Sequence, residues 1–240
     1  MGELVQQPTP SRVIRTVPTS CKRRLEPRDF EFIAKALSNG AAQGTECLMQ
    51  LAADPESLDC LLDHPKLLQA IIGLDSPVTI TPQLYFYVLL RHVLRENGLN
   101  HPGLCDYVSA TLADFASGEG PLRPRRGEAL SEAPYHIDFI EELNVANTYD
   151  KFYLHVRCGN QFMVLTGLFP RFLEHREERR GAPGVRYYEG VARDSFRSAR
   201  NHPLANEFAL AEVYDLLCNE FTRTRMALNR MAREFLWLGA

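Results

Sequence analysis

The segment TPQLYFYVLLRHVLREN, residues 81 to 97, limits the fold more than any other part of the chain. From Leu84 to Leu90 it is apolar on every side, so a helix here has no face to offer water along that stretch and belongs in the middle of the protein. Thr81 is a good N-cap and Pro82 suits the first turn, which sets the start of that helix.

A central helix needs other helices around it, and helical periods dominate the rest of the chain. RDFEFIAKALSNG puts Phe30, Ile33 and Leu37 on one face, and residues 45 to 73 hold three short helices cut by Pro55 and Pro65. HPGLCDYVSATLADFASG reads as a further amphipathic helix, and helices are predicted near 135–147, 150–168, 171–180, 184–200 and 203–238. Only VTIT, residues 78 to 81, resembles a strand, and it is too short to make a sheet alone. The expected fold is therefore an all-α, multi-helix bundle of about ten helices, with helices 82–97 and 150–168 near the middle and a long C-terminal helix along them.

Composition divides the chain. Residues 1–27 carry five basic residues, four prolines and no sustained period, which predicts a flexible N-terminal arm. Residues 28–116 form an N-terminal helical half, the Gly- and Pro-rich stretch 117–134 a linker, and 135–240 a C-terminal helical half within the same domain. In the last predicted helix Leu210, Tyr214, Leu217, Phe221, Thr224, Leu228, Met231, Phe235 and Leu238 alternate steps of four and three. No ordered charges flank this seam, so it is expected to pack within its own chain, and a monomer is favoured over a homodimer.

With 240 residues, 45% hydrophobic, 24% charged and a net charge of -3, nothing in the overall balance points to nucleic acid or a membrane surface. The six cysteines are widely spaced with no C-x-x-C pair, no run of about 18 apolar residues is present, and the start MGELVQQPTPSR has no apolar core. These features predict a soluble protein in a reducing, cytoplasmic setting.

Charge is uneven along the chain. Residues 128–150 hold six acids and no Lys or Arg, whereas residues 171–200 hold eight Arg against five acids. Within the latter, Arg186, Arg193, Arg197 and Arg200 follow one helical face together with Glu189, while Val185, Tyr188, Ala192, Phe196 and Ala199 occupy another. Such a stripe suits an acidic or otherwise anionic partner, because Arg offers a planar fork of donors and keeps its charge. The plainer reading is a solvated face, or one paired with the acidic segment 128–150. No aromatic residue interleaves the stripe as a base-stacking platform would require, which disfavours nucleic acid.

No metal site or cofactor is expected. Not one of the seven histidines follows an acid at the Glu-x-x-His spacing of di-iron bundles, and His92/Glu96, His155/Cys158 and His175/Glu178 are only pairs. No nucleophile or phosphate-loop motif is present; HIDFIEEL, with His136, Asp138, Glu141 and Glu142 within two turns, offers a group suited to proton transfer, yet it also reads as an N-terminal helical turn enriched in acids by the helix dipole. The function expected is a non-catalytic interaction or regulatory protein that presents the arginine-rich face to an acidic partner. The alternative is a helical-bundle enzyme or ligand carrier with a cavity lined by Tyr85, Tyr87, His92 and His155.

Overall fold

The structure, a computed structural model, describes residues 15–18, 20–38, 42–52, 54–74, 79–118 and 136–236. Thirteen α-helices lie among them, with no strand: α1 (Pro27–Leu37), α2 (Ala42–Leu51), α3 (Pro55–Leu62), α4 (Pro65–Ile72), α5 (Pro82–Glu96), α6 (Pro102–Ser117), α7 (His136–Val145), α8 (Thr148–Leu168), α9 (Pro170–Arg180), α10 (Val185–Arg200), α11 (Pro203–Glu207), α12 (Ala211–Asn219) and α13 (Phe221–Met231). The expected all-α bundle is therefore present. Proline occupies the first turn of α1, α3, α4, α5, α6, α9 and α11, where its missing N–H costs nothing. Pro183 is different: Gly184 caps α10, so this proline stands just outside the helix. Residues 79–81 lead into the cap of α5 rather than forming the strand expected at 78–81, and Val78 lies outside the described residues.

Helix α5 is central, as its composition demands, with Leu84, Leu90 and Val93 fully enclosed. Its start is tied to α1 through a buried carboxylate. Asp29 accepts hydrogen bonds from the Thr81 amide (2.8 Å), the Thr81 hydroxyl (2.7 Å) and the Glu26 amide (2.8 Å), while the Thr81 hydroxyl in turn caps α5 at Leu84. One acid thus satisfies donors at two helix starts.

Helix α8 is the second axis. Two of its glycines stand where neighbouring side chains come within van der Waals range of the backbone. A Cβ at Gly159 would meet the Phe196 ring of α10 at 2.9 Å, and one at Gly167 would meet Leu228 of α13 at 2.7 Å. The α13 contact is also pinned by Asn229, whose amide donates to the carbonyls of Thr166 (2.9 Å) and Gly167 (2.5 Å). Because α13 packs on α5 and α12 on α6, the two halves share a single core. The linker expected at 117–134 falls almost wholly outside the described residues; Ser117 and Gly118 close α6.

Two expectations need correction. The first concerns residues 203–238, which do not form one continuous helix. Phe208 ends α11, Ala209 adopts a left-handed backbone (φ 54°), and a further break at Glu220 separates α12 from α13, which runs on as a π-helical turn over Ala232–Leu236. The long C-terminal helix is the stretch Phe221–Leu236. The heptad spacing survives the breaks because each piece presents its apolar positions to the same core: Tyr214, Leu217, Phe221, Thr224, Leu228 and Met231 are all buried within the chain, and Leu238 lies outside the described residues.

The second concerns the N-terminal arm, which is held down along its described part. Arg15 pairs with Asp150 (2.6 Å), the Lys22 ammonium with Asp59 (2.8 Å) and Arg24 with Asp114 (2.5 Å), while Cys21 is fully enclosed and donates to the Gln83 carbonyl. Three of the segment's basic residues are thus matched by acids on three different helices.

Leu228→Ala is expected to cost about 2–5 kcal/mol, because the leucine is wholly buried against α8, with a melting midpoint independent of protein concentration. Gly167→Ala should cost about 1–3 kcal/mol by forcing α13 off α8. Ala209→Gly should instead raise stability by about 0.5–1 kcal/mol, since it relieves a left-handed alanine. Chemical denaturation of the three variants checks all three values.

Candidate functional site

Helix α10 turns Tyr188, Ala192, Phe196 and Ala199 into the core, with Tyr188 stacked on Phe162 at 4.7 Å, so its arginines face outward. The structure engages three of the four with acceptors of the same chain. Arg193 donates to the Cys218 carbonyl (3.0 Å), Arg197 pairs with Asp194 and Arg200 pairs with Asp215 (3.0 Å). Glu189, within the same stripe, is taken by Arg225 (3.0 Å) and Thr222. Glu142 and Asp150, in the acidic segment that might have matched the stripe, turn instead to Arg157 (2.6 Å) and Arg15. Exposed pairs such as Arg197–Asp194 and Arg200–Asp215 contribute only about 0–1 kcal/mol each. Arg186 lies exposed at the N-terminal end of the stripe, next to the half-exposed Tyr187.

That end of α10 meets α7. The Tyr187 hydroxyl and His136 Nδ1 are hydrogen-bonded at 2.7 Å, their rings 5.7 Å apart, and burial lowers the His136 pKa. Helix α7 is anchored from beneath by the enclosed Phe139, under the Arg157 guanidinium, and by the Glu142–Arg157 pair. Its outer side carries exposed apolar residues, Ile137 at 56%, Ile140 at 37% and Val145 at 82%, alongside the exposed Glu141 and Asn144. Ile140 lies one turn beyond His136, on the side of α7 where His136 meets Tyr187. HIDFIEEL therefore serves first as a docked helix with an exposed apolar side, and its His136 is held by a tyrosine rather than by its own acids.

The four residues proposed to share a cavity divide: Tyr85 and His92 both lie against Phe235 but line different clefts, and neither Tyr87 nor His155 lines either of these two. Tyr85 lines a cleft of 330 Å³ with Leu89 and Phe235. His92 lines another of 570 Å³ and lies 3.5 Å from Glu96. Tyr87 is buried near Cys105 and Arg91, and burial holds its phenol protonated. His155, on α8, has Lys151 and His202 as its charged neighbours, and its Nδ1 is closed off without a hydrogen-bond partner. A further cleft, 810 Å³, lies between the docked N-terminal segment and the α11–α12 turn, with Val17, Tyr107, Phe208 and Val213 in its walls.

Arg91, which the sequence reading passed over, is the main polar feature of the 570 Å³ cleft. Only 8% exposed, it grips Asp63 with Nε (2.8 Å) and Nη2 (3.0 Å), while Arg95 approaches the same carboxylate at 3.2 Å. Its signal was a lone arginine directly after five enclosed or nearly enclosed apolar positions, Phe86 to Leu90, a charge that needs a partner wherever the helix is buried.

No group of three His, Cys, Asp or Glu side chains is placed to hold a metal ion among the described residues. The cysteines are free, and burial pushes Cys105 and Cys158 up to about 12, so these thiols stay protonated. No described helix is long and apolar enough to cross a membrane. No protein-family model matches the chain, and comparison with curated proteins and with solved structures finds no match either.

Burial first, then Lys151 and His202, lowers the His155 pKa below its ordinary value of 6.5. The unfolded chain therefore takes up this proton before the folded one. Stability is full above about pH 6.5 and declines as pH falls from there through the lowered folded value. Urea melts at about pH 7.5 and pH 5.5 should show that loss, and His155→Gln should reduce it.

Proposed function

We propose that this chain is a non-catalytic interaction protein whose contact surface joins the outer face of α7 to the N-terminal end of α10. The observation that carries the reading is the exposure of Ile137 and Ile140 on α7, the helix whose His136 is hydrogen-bonded to the exposed Tyr187, the sequence neighbour of Arg186. Large apolar side chains left in water along one anchored helix mark a surface that a partner covers. Tyrosine and arginine are the residue types that dominate the energy of protein contacts.

The partner is an acidic protein segment with apolar anchors. Its aliphatic side chains cover Ile137 and Ile140, and its carboxylates meet Arg186 and compete for the weakly paired Arg197 and Arg200 farther along α10. Arg193 takes less part, being tied to the Cys218 carbonyl. The chain acts as a monomer in this reading, supported by the burial of the C-terminal seam within its own core. A cytoplasmic setting is supported by the six free cysteines.

The test compares wild type, Ile137→Ser/Ile140→Ser and Arg186→Glu as bait in affinity capture at low and high salt. A partner retained by wild type should be lost by the double variant, weakened by Arg186→Glu and released by salt, since exposed charges are screened beyond about 10 Å at 0.1 M. Equal capture by all three proteins overturns the reading.

A further inference from the structure

The cleft between α4 and α5 combines a nearly dry floor with an uneven charge count. Leu62, Pro65, Leu68 and Val88 form its apolar part, and the polar part centres on Arg91. Two guanidinium groups, Arg91 and Arg95, share the single carboxylate of Asp63. The other acid of the cleft, Glu96, is occupied by Arg230 at 2.6 Å and approached by His92. The Asp63 end therefore carries one positive charge more than it neutralises.

Arg91 adds a second, independent sign. Nε and Nη2 are used by Asp63, but Nη1 is closed to solvent and has no hydrogen-bond partner. A guanidinium donor left so is unfavourable, and an anionic oxygen is the acceptor that relieves it best. His64 contributes in the same direction. Its Nδ1 accepts from the Lys66 amide at 3.1 Å, so in the neutral ring the hydrogen is on Nε2, leaving a donor on a residue that lines the cleft.

We propose that this cleft binds a small organic monocarboxylate, its carboxylate held by Arg95 and, with a small side-chain shift that uncovers it, by Nη1 of Arg91, and its hydrocarbon part laid against Leu62, Leu68 and Val88. A single surplus positive charge matches a monoanion, and the apolar walls select a ligand with a hydrocarbon body over a fully hydrated ion. The 570 Å³ volume lies within the range of small-molecule sites. This site is separate from the α7–α10 surface, and neither reading depends on the other.

Calorimetric titration of the whole protein with acetate, butyrate, hexanoate and inorganic phosphate tests the proposal. Hexanoate should bind saturably at one site, with affinity rising by up to about fourfold for each methylene buried along the series, and phosphate should bind more weakly than hexanoate. Arg91→Lys keeps a cation beside Asp63 but removes Nη1, and should weaken hexanoate about tenfold, the loss of one charge-assisted hydrogen bond. Arg95→Gln, at an exposed position that leaves the Arg91–Asp63 pair intact, should weaken it too, and serves if the lysine variant does not fold. The proposal is overturned by any one of three results: no saturable hexanoate binding, phosphate binding as tightly as hexanoate, or undiminished hexanoate binding in the folded variants.

Discussion

The close approach of α10 and α13 to the backbone of α8 is the constraint on which the remaining structure depends. Gly159 and Gly167, eight residues apart, admit Phe196 and Leu228 to distances that any Cβ would forbid. Eight residues make slightly more than two turns, so the two clearances lie close to one side of α8 but serve two different helices. Once Phe196 is seated, Tyr188 two turns earlier stacks on Phe162, and the outer side of α10 is committed to its arginines. Once Leu228 is seated, Asn229 reaches the carbonyls of Thr166 and Gly167, and α13 is carried against α5.

The same seating shapes both proposed sites. Placing α10 on α8 brings Tyr187 to His136, which aligns α7 alongside and leaves Ile137 and Ile140 facing water. Placing α13 on α5 brings Arg230 to Glu96, which removes that acid as a counter-charge for the cleft and leaves Asp63 to serve two arginines alone. Neither arrangement is a property of one helix. Each arises where a pair of helices fixed by core contacts puts charges or apolar side chains side by side at the rim.

Charge in this protein is mostly used to fasten segments. Asp29 joins the starts of α1 and α5, the acids Asp59, Asp114 and Asp150 hold the basic N-terminal segment, and Glu142 with Arg157 holds α7. Partly buried pairs of this kind are costly to break from one side, because the remaining charge is left without compensation. The exposed pairs on α10 differ in that water and salt substitute for either partner at little cost.

Sequence alone determined the all-α class, the central position of α5 and most helix starts, because these follow from local rules: an apolar run has nowhere to go but inside, and proline and capping residues mark first turns. It also determined that residues 210 to 231 bury a seam, since Leu217, Phe221 and Leu228 recur at helical spacing. The breaks at Ala209 and Glu220 escaped it, because the apolar rhythm continues across them and no proline or glycine announces either one. Of the site residues, the arginine stripe on α10 was legible as a face, but not its partners Asp215 and Cys218, which come from another helix. The clefts that Tyr85 and His92 line, the sharing of Asp63 by Arg91 and Arg95, and the meeting of His136 with Tyr187 were decided only by the tertiary structure. Each depends on which helix faces lie together, and that is settled by long-range packing at positions such as Gly159 and Gly167, where what matters is the absence of a side chain.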